Sequence, residues 1–337
     1  MEARSDRPFL ALLLQTPGSE PRLGGQAVIE GVMMRDPTGW AVAVRAPDGT
    51  IKKRLERRPS FQSTHRWARI PILRGAVALV ESLAIGFSAL SWSADVFAST
   101  QSGKPVRKQE TGSGAVSMAA AITFAVALFV VIPAVLTRVA LAQVVKGPFA
   151  LSVAEGLLRV IILVGYILAI SRIPEVRRVF EYHGAEHQTI AAYENSEPLV
   201  VERISEYSTK HPRCGTSFLL TVMIVTIAVF SVIRGTLPFS LQIAARILLL
   251  PLVAGISYEL IRAGWALRDR TLAKYLMLPG LALQAITTRQ PDSSQIEVAV
   301  AALRVLVGEN GDRKQSESHN GFVVGSRQEN QSLESED

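Results

Sequence analysis

The chain has 337 residues, 48% of them hydrophobic and only 19% charged, with a net charge of +7. Ordinary soluble domains carry about 25% charged residues, and the apolar residues here come in long uncharged blocks, which excludes a plain water-soluble domain. It also makes the flanking positive charge a topology signal rather than a nucleic-acid footprint.

Residues 1–20 read as a loose leader. Phe9–Leu14 is too short an apolar run for a signal peptide, and acidic and basic residues precede it together. From Gly24 to Arg45 two β-favouring runs bracket the turn residues Asp36-Pro37-Thr38-Gly39, and Pro47-Asp48-Gly49 offers a second turn. The expectation over 21–60 is a small cytoplasmic antiparallel β element. In its first run, Gly24-Gly25-Gln26-Ala27-Val28-Ile29-Glu30-Gly31-Val32-Met33-Met34-Arg35, an extended backbone would turn Gln26 and Glu30 to one face. With Arg35 they are candidates for lining a pocket; a hairpin with glycine turns is the plainer alternative.

Residues 61–100 read as amphipathic or re-entrant helices. The stretch 75–98 is helical in composition but carries Glu81 and Asp95. A lone carboxylate facing lipid is costly, so a bundle-packed or re-entrant helix fits better than an ordinary span. A Gly/Ser/Pro-rich linker follows at 101–115.

Four spans are then expected, near 116–137, 150–171, 216–234 and 243–261. No charge falls between Glu110 and Arg138, or from Thr216 to Ile233, and a bilayer crossing takes about 20 mostly apolar residues. These make two hairpins, 116–171 and 216–261, around a His-rich loop at 172–215. Lys and Arg cluster before the first span, through the central loop and after the last span, whereas the two connecting turns hold only Arg138, Lys146 and Arg234. By the positive-inside rule the central loop and both termini are cytoplasmic, in an inner (plasma) membrane. Residues 262–308 read as cytoplasmic amphipathic helices; Ser294 and Glu297 suggest a capping box opening the last, with Ile296, Val300, Leu303 and Val307 on its apolar face. A Ser/Glu/Asn-rich tail, read as disordered, occupies 309–337. The fold class is mostly α: a polytopic membrane protein of about four transmembrane helices, one re-entrant or bundle-packed helix and a small N-terminal sheet.

The central loop holds the chemistry. In Tyr182-His183-Gly184-Ala185-Glu186-His187 the two histidines stand four residues apart and share a helix face, with Glu186 beside them. Two imidazoles so placed can hold one zinc or other divalent metal, and the carboxylate can act as catalytic base; the order His-x-x-Glu-His is that of the inverted zincins. His211-Pro-Arg-Cys214 supplies an imidazole and a thiol nearby, and Glu194 lies between the two motifs. Three ligands with an open position would mean catalysis, and a closed set of His183, His187, His211 and Cys214 would mean structure. A cap of hydrogen-bonded histidines without metal is the bland alternative. Cys214 is the single cysteine, which excludes an intrachain disulfide and fits a reducing compartment. At the cytoplasmic end of the last expected span Arg262 reads as an interfacial anchor, and Glu259 stays open as a pocket candidate.

The motifs Gly24–Arg35, Tyr182-His-Gly-Ala-Glu-His187 and His211-Pro-Arg-Cys-Gly-Thr-Ser217, with Gly255-Ile-Ser-Tyr-Glu259, Pro279-Gly280, Gln284, Thr287-Thr288 and Glu297, resemble those of the YqhQ-like bacterial membrane proteins over about residues 22–308. That resemblance implies a multi-spanning membrane protein labelled as a metal-dependent enzyme; neither a reaction nor a substrate comes with it. Two functions stand at this point. One is a zinc-dependent hydrolase, with Glu186 as base, acting on a peptide or lipid-linked substrate. The other is a non-enzymatic membrane assembly or scaffolding factor. The expected partners are the lipid bilayer and membrane proteins or peptides, and no nucleic acid.

Overall fold

The computed structural model describes residues 23–102, 111–211, 214–233, 238–266 and 271–308. The leader, most of the linker and the tail lie outside the described residues, as do Pro212 and Arg213.

The first segment is an antiparallel meander: β1 (Gly24–Val28), β2 (Gly31–Asp36), β3 (Gly39–Arg45) and β4 (Ile51–Glu56), in sheet order β1-β2-β3-β4. Asp36 makes the turn into β3 by accepting hydrogen bonds from the backbone N–H of Thr38 (2.7 Å) and Gly39 (2.9 Å). The run Gly24–Arg35, read as one stretch from its sequence, is split into two strands by Ile29 and Glu30. Glu30 takes a left-handed φ of 50°, a conformation uncommon for a residue with a side chain. β3 is apolar on both faces because both are covered: Trp40, Val42 and Val44 face one side, Ala41 and Ala43 the other. β4 is an edge strand, and Lys52, Lys53 and Arg54 guard it against pairing with another chain.

A short helix, α1 (Phe61–Thr64), is capped by Ser60, and the Phe61 N–H donates to Glu81 (2.9 Å). α2 (Leu73–Ser102) therefore uses Glu81 to hold a neighbouring helix end rather than exposing it to lipid. Its Ile85, Ala89, Trp92 and Val96 pack under the sheet against Val28, Met33 and Trp40; by length and composition the same helix also qualifies as a candidate span, where a bundle-packed or re-entrant helix was expected of 75–98. The opposite face, with Val80, Leu83 and Leu90, is exposed.

Of the apolar helices, α3 starts at Thr111–Val126 and continues through wide turns at Ala127–Val131 and Thr137–Leu141 that flank Ile132–Leu136. Pro133 sits between them, where its missing N–H removes a helical hydrogen bond. α4 (Pro148–Ile170), α5 (Pro174–Glu194) and the short α6 (Val201–Ser205) follow, then α7 (Gly215–Ile233), α8 (Phe239–Leu248), α9 (Leu250–Ala266), α10 (Thr271–Thr287) and α11 (Ser293–Val307). Among the described residues three helices are long and apolar enough to cross a membrane, Leu73–Thr100, Val116–Leu141 and Pro148–Ile170, with a fourth if α8 and α9 form one span bent by 47°. Pro251 at that break accounts for the bend. The apolar part of α7, Phe218–Val232, is shorter; α7 packs against α4, α9 and α10. The fold is thus that of a mostly helical polytopic membrane protein with a small four-stranded sheet.

The segment 262–308 differs in character along its length. α10 is an apolar helix packed on α7, and only α11 is an amphipathic cover for the sheet, placing Ile296, Ala299, Leu303 and Leu306 against β2 and β3. The capping box of α11 is formed by Asp292 and Gln295, two residues earlier than Ser294 and Glu297. Glu297 instead pairs with Arg45 of β3 at 2.8 Å.

Candidate metal centre

α5 begins at Pro174, whose fixed φ and missing N–H suit a first helical turn, with Glu175 favoured beside the helix N-terminus. One side of it lies on β1, β2 and α11, and Tyr182, Ala185 and Ile190 enter the core they share. The hairpin tip of the sheet is fastened to this helix: Glu30 accepts from Arg178 Nε and a terminal guanidinium nitrogen, both at 2.5 Å, and from the Tyr182 hydroxyl at 3.3 Å. That hydrogen bonding raises the Arg178 pKa further.

His183 and His187 stack edge to face on α5 with ring centres 4.4 Å apart. His183 Nδ1 lies 2.8 Å from the Thr287 carbonyl at the end of α10, and His187 Nδ1 lies 2.6 Å from the Thr209 carbonyl. A carbonyl only accepts, so both Nδ1 atoms carry the proton and both Nε2 lone pairs are free to turn elsewhere. They turn towards Cys214. Its Sγ is 3.3 Å from His183 Nε2, and the three ligand atoms of His183, His187 and Cys214 all lie within 4.8 Å of one another. Cys214 immediately precedes α7, and the Thr216 N–H donates to its sulfur at 3.5 Å. Burial lowers the His187 pKa, keeping the ring in the neutral form that binds metal.

The residues therefore fit a divalent metal of the zinc type on two counts. The donor set is two imidazoles and one cysteine sulfur, and each imidazole is already oriented by a backbone carbonyl, as metal-bound histidines usually are.

Glu186 lies beside this set, only 4% exposed, and its Oε2 has no hydrogen-bond partner. Burial pushes its pKa up to about 7 against the opposing pull of His183 and His211. The carboxylate rests on the backbone of β1, where a Cβ on Gly25 would stand 2.7 Å from Glu186 Oε1. Gly25 is glycine because the strand approaches a carboxylate that closely.

His211 belongs to the surroundings of the three. Its ring is 5.7 Å from that of His187, and its Nε2 is 3.6 Å from Glu194. Gln284 holds its backbone at both ends, accepting from the His211 N–H (2.8 Å) and donating to its carbonyl (3.0 Å). Gln188 donates to the Tyr207 carbonyl at 2.6 Å and steadies the start of the same loop.

The other pocket candidates are placed elsewhere. Gln26 and Arg35 stand on the face of the sheet opposite α5: Gln26 reaches Gly86 of α2, and Arg35 lies over Gly24. Because the Gly24–Arg35 run folds into two strands, Gln26 and Glu30 share no face, and Glu30 serves Arg178 and Tyr182. Glu259 is buried against Arg74 at the junction of α9 and α2. Of the expected pocket residues only Glu194 lies near the histidines. The carbonyls of Thr287 and Thr209 carry no side-chain signature and were not legible as orienting groups; Gln284 and Gly25 stood in quoted motifs without a role.

Comparison with known proteins gives a family but no activity. Residues 70–309 match the family model described as a protein of unknown function, DUF1385. An uncharacterized protein of Bacillus subtilis (strain 168), YqhQ, is 36% identical over 310 residues, covering 89% of this chain and 97% of that protein. No solved structure matches.

Proposed function

The chain belongs to the DUF1385 family, whose function is unknown, and from the geometry of the His/Cys set we propose that it is a membrane-bound, metal-dependent hydrolase working at the cytoplasmic side of its spans. The observation that carries this is the convergence of His183, His187 and Cys214 within 4.8 Å, both imidazoles tied back by carbonyls, with a buried carboxylate alongside.

In this reading His183, His187 and Cys214 would hold a zinc or similar divalent ion. Held there, such an ion would supply Lewis-acid polarisation of an oxygen on the substrate. Glu186 accepts a proton at Oε2 from the attacking water and returns it to the leaving group; a carboxyl with a pKa near 7 suits both steps. His211, paired with Glu194, positions the loop that carries Cys214. The substrate class is a peptide or lipid-linked molecule, because the site lies where α7, an apolar helix, begins. Placement in an inner (plasma) membrane, with both termini cytoplasmic, is supported by the Lys and Arg residues before the first expected span and through 172–215.

Glu186→Gln is expected to fold, keep its metal and lose about 10²–10⁴-fold in turnover on whichever peptide, ester or phosphodiester probe the detergent-purified protein hydrolyses. Unchanged turnover in that variant removes Glu186 as the base.

A second reading has one observation in its favour: His187 is only 2% exposed and Cys214 8%, burial that suits a structural metal in an assembly or scaffolding factor. On that reading Glu186→Gln is silent, and a reproducible membrane partner co-purifies.

A further inference from the structure

The segment between the sheet and α2 takes no part in the metal centre, yet its residues are of a distinctive kind. From Arg57 to Val80 the chain holds five arginines and no Asp or Glu. A single 3₁₀ turn, Arg66–Arg69, buries Ala68 completely, which fixes its orientation and leaves Arg66, Trp67 and Arg69 exposed. Residues three apart on such a turn eclipse each other, so the two arginines leave it on one side. Arg69 is braced by donating to the carbonyls of Gln62 (2.8 Å) and Ser63 (2.6 Å), contacts that leave its charge uncompensated. Arg66 has no ion-pair partner among the described residues. Trp67 is 52% exposed and Ile70 50%, with Ile72 and Leu73 also exposed. Large apolar side chains and uncompensated positive charge therefore share one short stretch, directly before a helix apolar enough to cross a membrane.

The stretch is also rigidly held. Ile72 takes a left-handed φ of 71°, an outlier for a β-branched residue that persists only where its surroundings enforce it. Here they do. The Ile72 N–H donates to Glu259 at 3.3 Å, and a Cβ on Gly255 would collide with the Ile72 carbonyl oxygen. Residues of the motif Gly255-Ile-Ser-Tyr-Glu259 thus pin a strained turn against α9, and the turn presents its side chains in a set arrangement. Tryptophan favours the boundary between water and lipid, and arginine favours phosphate and an anionic membrane surface. The rings of Phe61, His65 and Trp67 lie together, but arginines beside them repel a cationic ligand. We propose that this segment binds an anionic glycerophospholipid: Arg66 and Arg69 take the headgroup phosphate, and Trp67, Ile70 and Leu73 lie along the glycerol and upper acyl chains.

The test reconstitutes the full chain in phosphatidylcholine vesicles and quenches its tryptophan fluorescence with brominated phosphatidylglycerol or brominated phosphatidylcholine at equal mole fraction. Subtracting the signal of Trp67→Phe, made in each background, isolates Trp67. Phosphatidylglycerol is expected to occupy this position about tenfold more tightly than phosphatidylcholine. Arg66→Gln, at an exposed side chain that holds nothing else in place, lowers the preference about threefold to fivefold. Adding Arg69→Gln removes it, while the unfolding midpoint of the double variant shows that the fold is kept. Equal quenching by the two lipids overturns the proposal, as does a preference for phosphatidylcholine, which would make the rings a cage for quaternary ammonium. Absence of Trp67 quenching by either lipid overturns it by placing the segment away from the bilayer. A phosphatidylglycerol preference undiminished in the double variant overturns it by placing the anion site elsewhere.

Discussion

Replacing Arg74 by methionine is expected to destabilise the protein by about 3–5 kcal/mol, the cost typical of leaving one partner of a buried ion pair alone. Arg74 stands in the first turn of α2 and donates to Glu259 of α9 through Nε (2.6 Å) and a terminal nitrogen; the Ile72 N–H adds a third donor at 3.3 Å. Both side chains are less than a tenth exposed, so water cannot take over when one is removed. The pair joins the helix that underlies the sheet to one that belongs to the apolar bundle, and its loss loosens the seam between them. The double variant Arg74→Met, Glu259→Leu should regain most of the loss, because an apolar pair of similar volume is often as stable as a buried ion pair. Chemical unfolding in detergent measures all three proteins. A single-variant loss below about 1 kcal/mol would place the pair in the class of solvated ion pairs.

Gly184→Ala is expected to damage fold and metal site together. The linker from α10 to α11 runs against α5: the Arg289 N–H donates to the Phe180 carbonyl at 2.9 Å, and the Thr287 carbonyl receives His183 Nδ1–H. A Cβ on Gly184 would collide with the Arg289 carbonyl oxygen, and a backbone atom cannot swing aside as a side-chain tip can. The linker must move out, at a cost of about 1–3 kcal/mol for overpacking. His183 then loses the carbonyl that orients it, which for such supporting contacts weakens metal binding about 10–100-fold. Metal titration beside an unfolding curve separates the two effects. An alanine variant with unaltered metal affinity would mean that the Thr287 contact does not orient His183.

The parts of this fold that were legible in the sequence are those with a local signature. Uncharged blocks announced α3 and α7, and Asp36-Pro37-Thr38-Gly39 announced the β2–β3 turn. The four-residue spacing of His183 and His187 was enough to put their rings together once α5 formed. Register was harder. A single residue with positive φ, Glu30, turned one expected strand into two and so separated Gln26 from Glu30. The bend between α8 and α9 had a visible cause in Pro251 but lay within a continuous apolar run. Long-range pairings left no trace: Arg74 meets Glu259 across 185 residues of chain, and Arg178 meets Glu30 across 148. Nothing in either neighbourhood names the partner. The grouping of Cys214 with His183 could be guessed from their shared chemistry; the place of His211 beside the three rather than among them could not, because it depends on which way Gln284 and Glu194 hold one loop.

The measurement that bears most directly on the proposed centre is metal content, by elemental analysis, of the full chain purified in detergent without chelators, beside His187→Ala, Cys214→Ala and His211→Ala. The expected result is about one zinc or similar divalent ion per chain, lost in the first two variants and retained in the third. A protein that folds normally yet carries no stoichiometric metal would contradict the proposal, and its histidines would then be a hydrogen-bonded cap on the bundle.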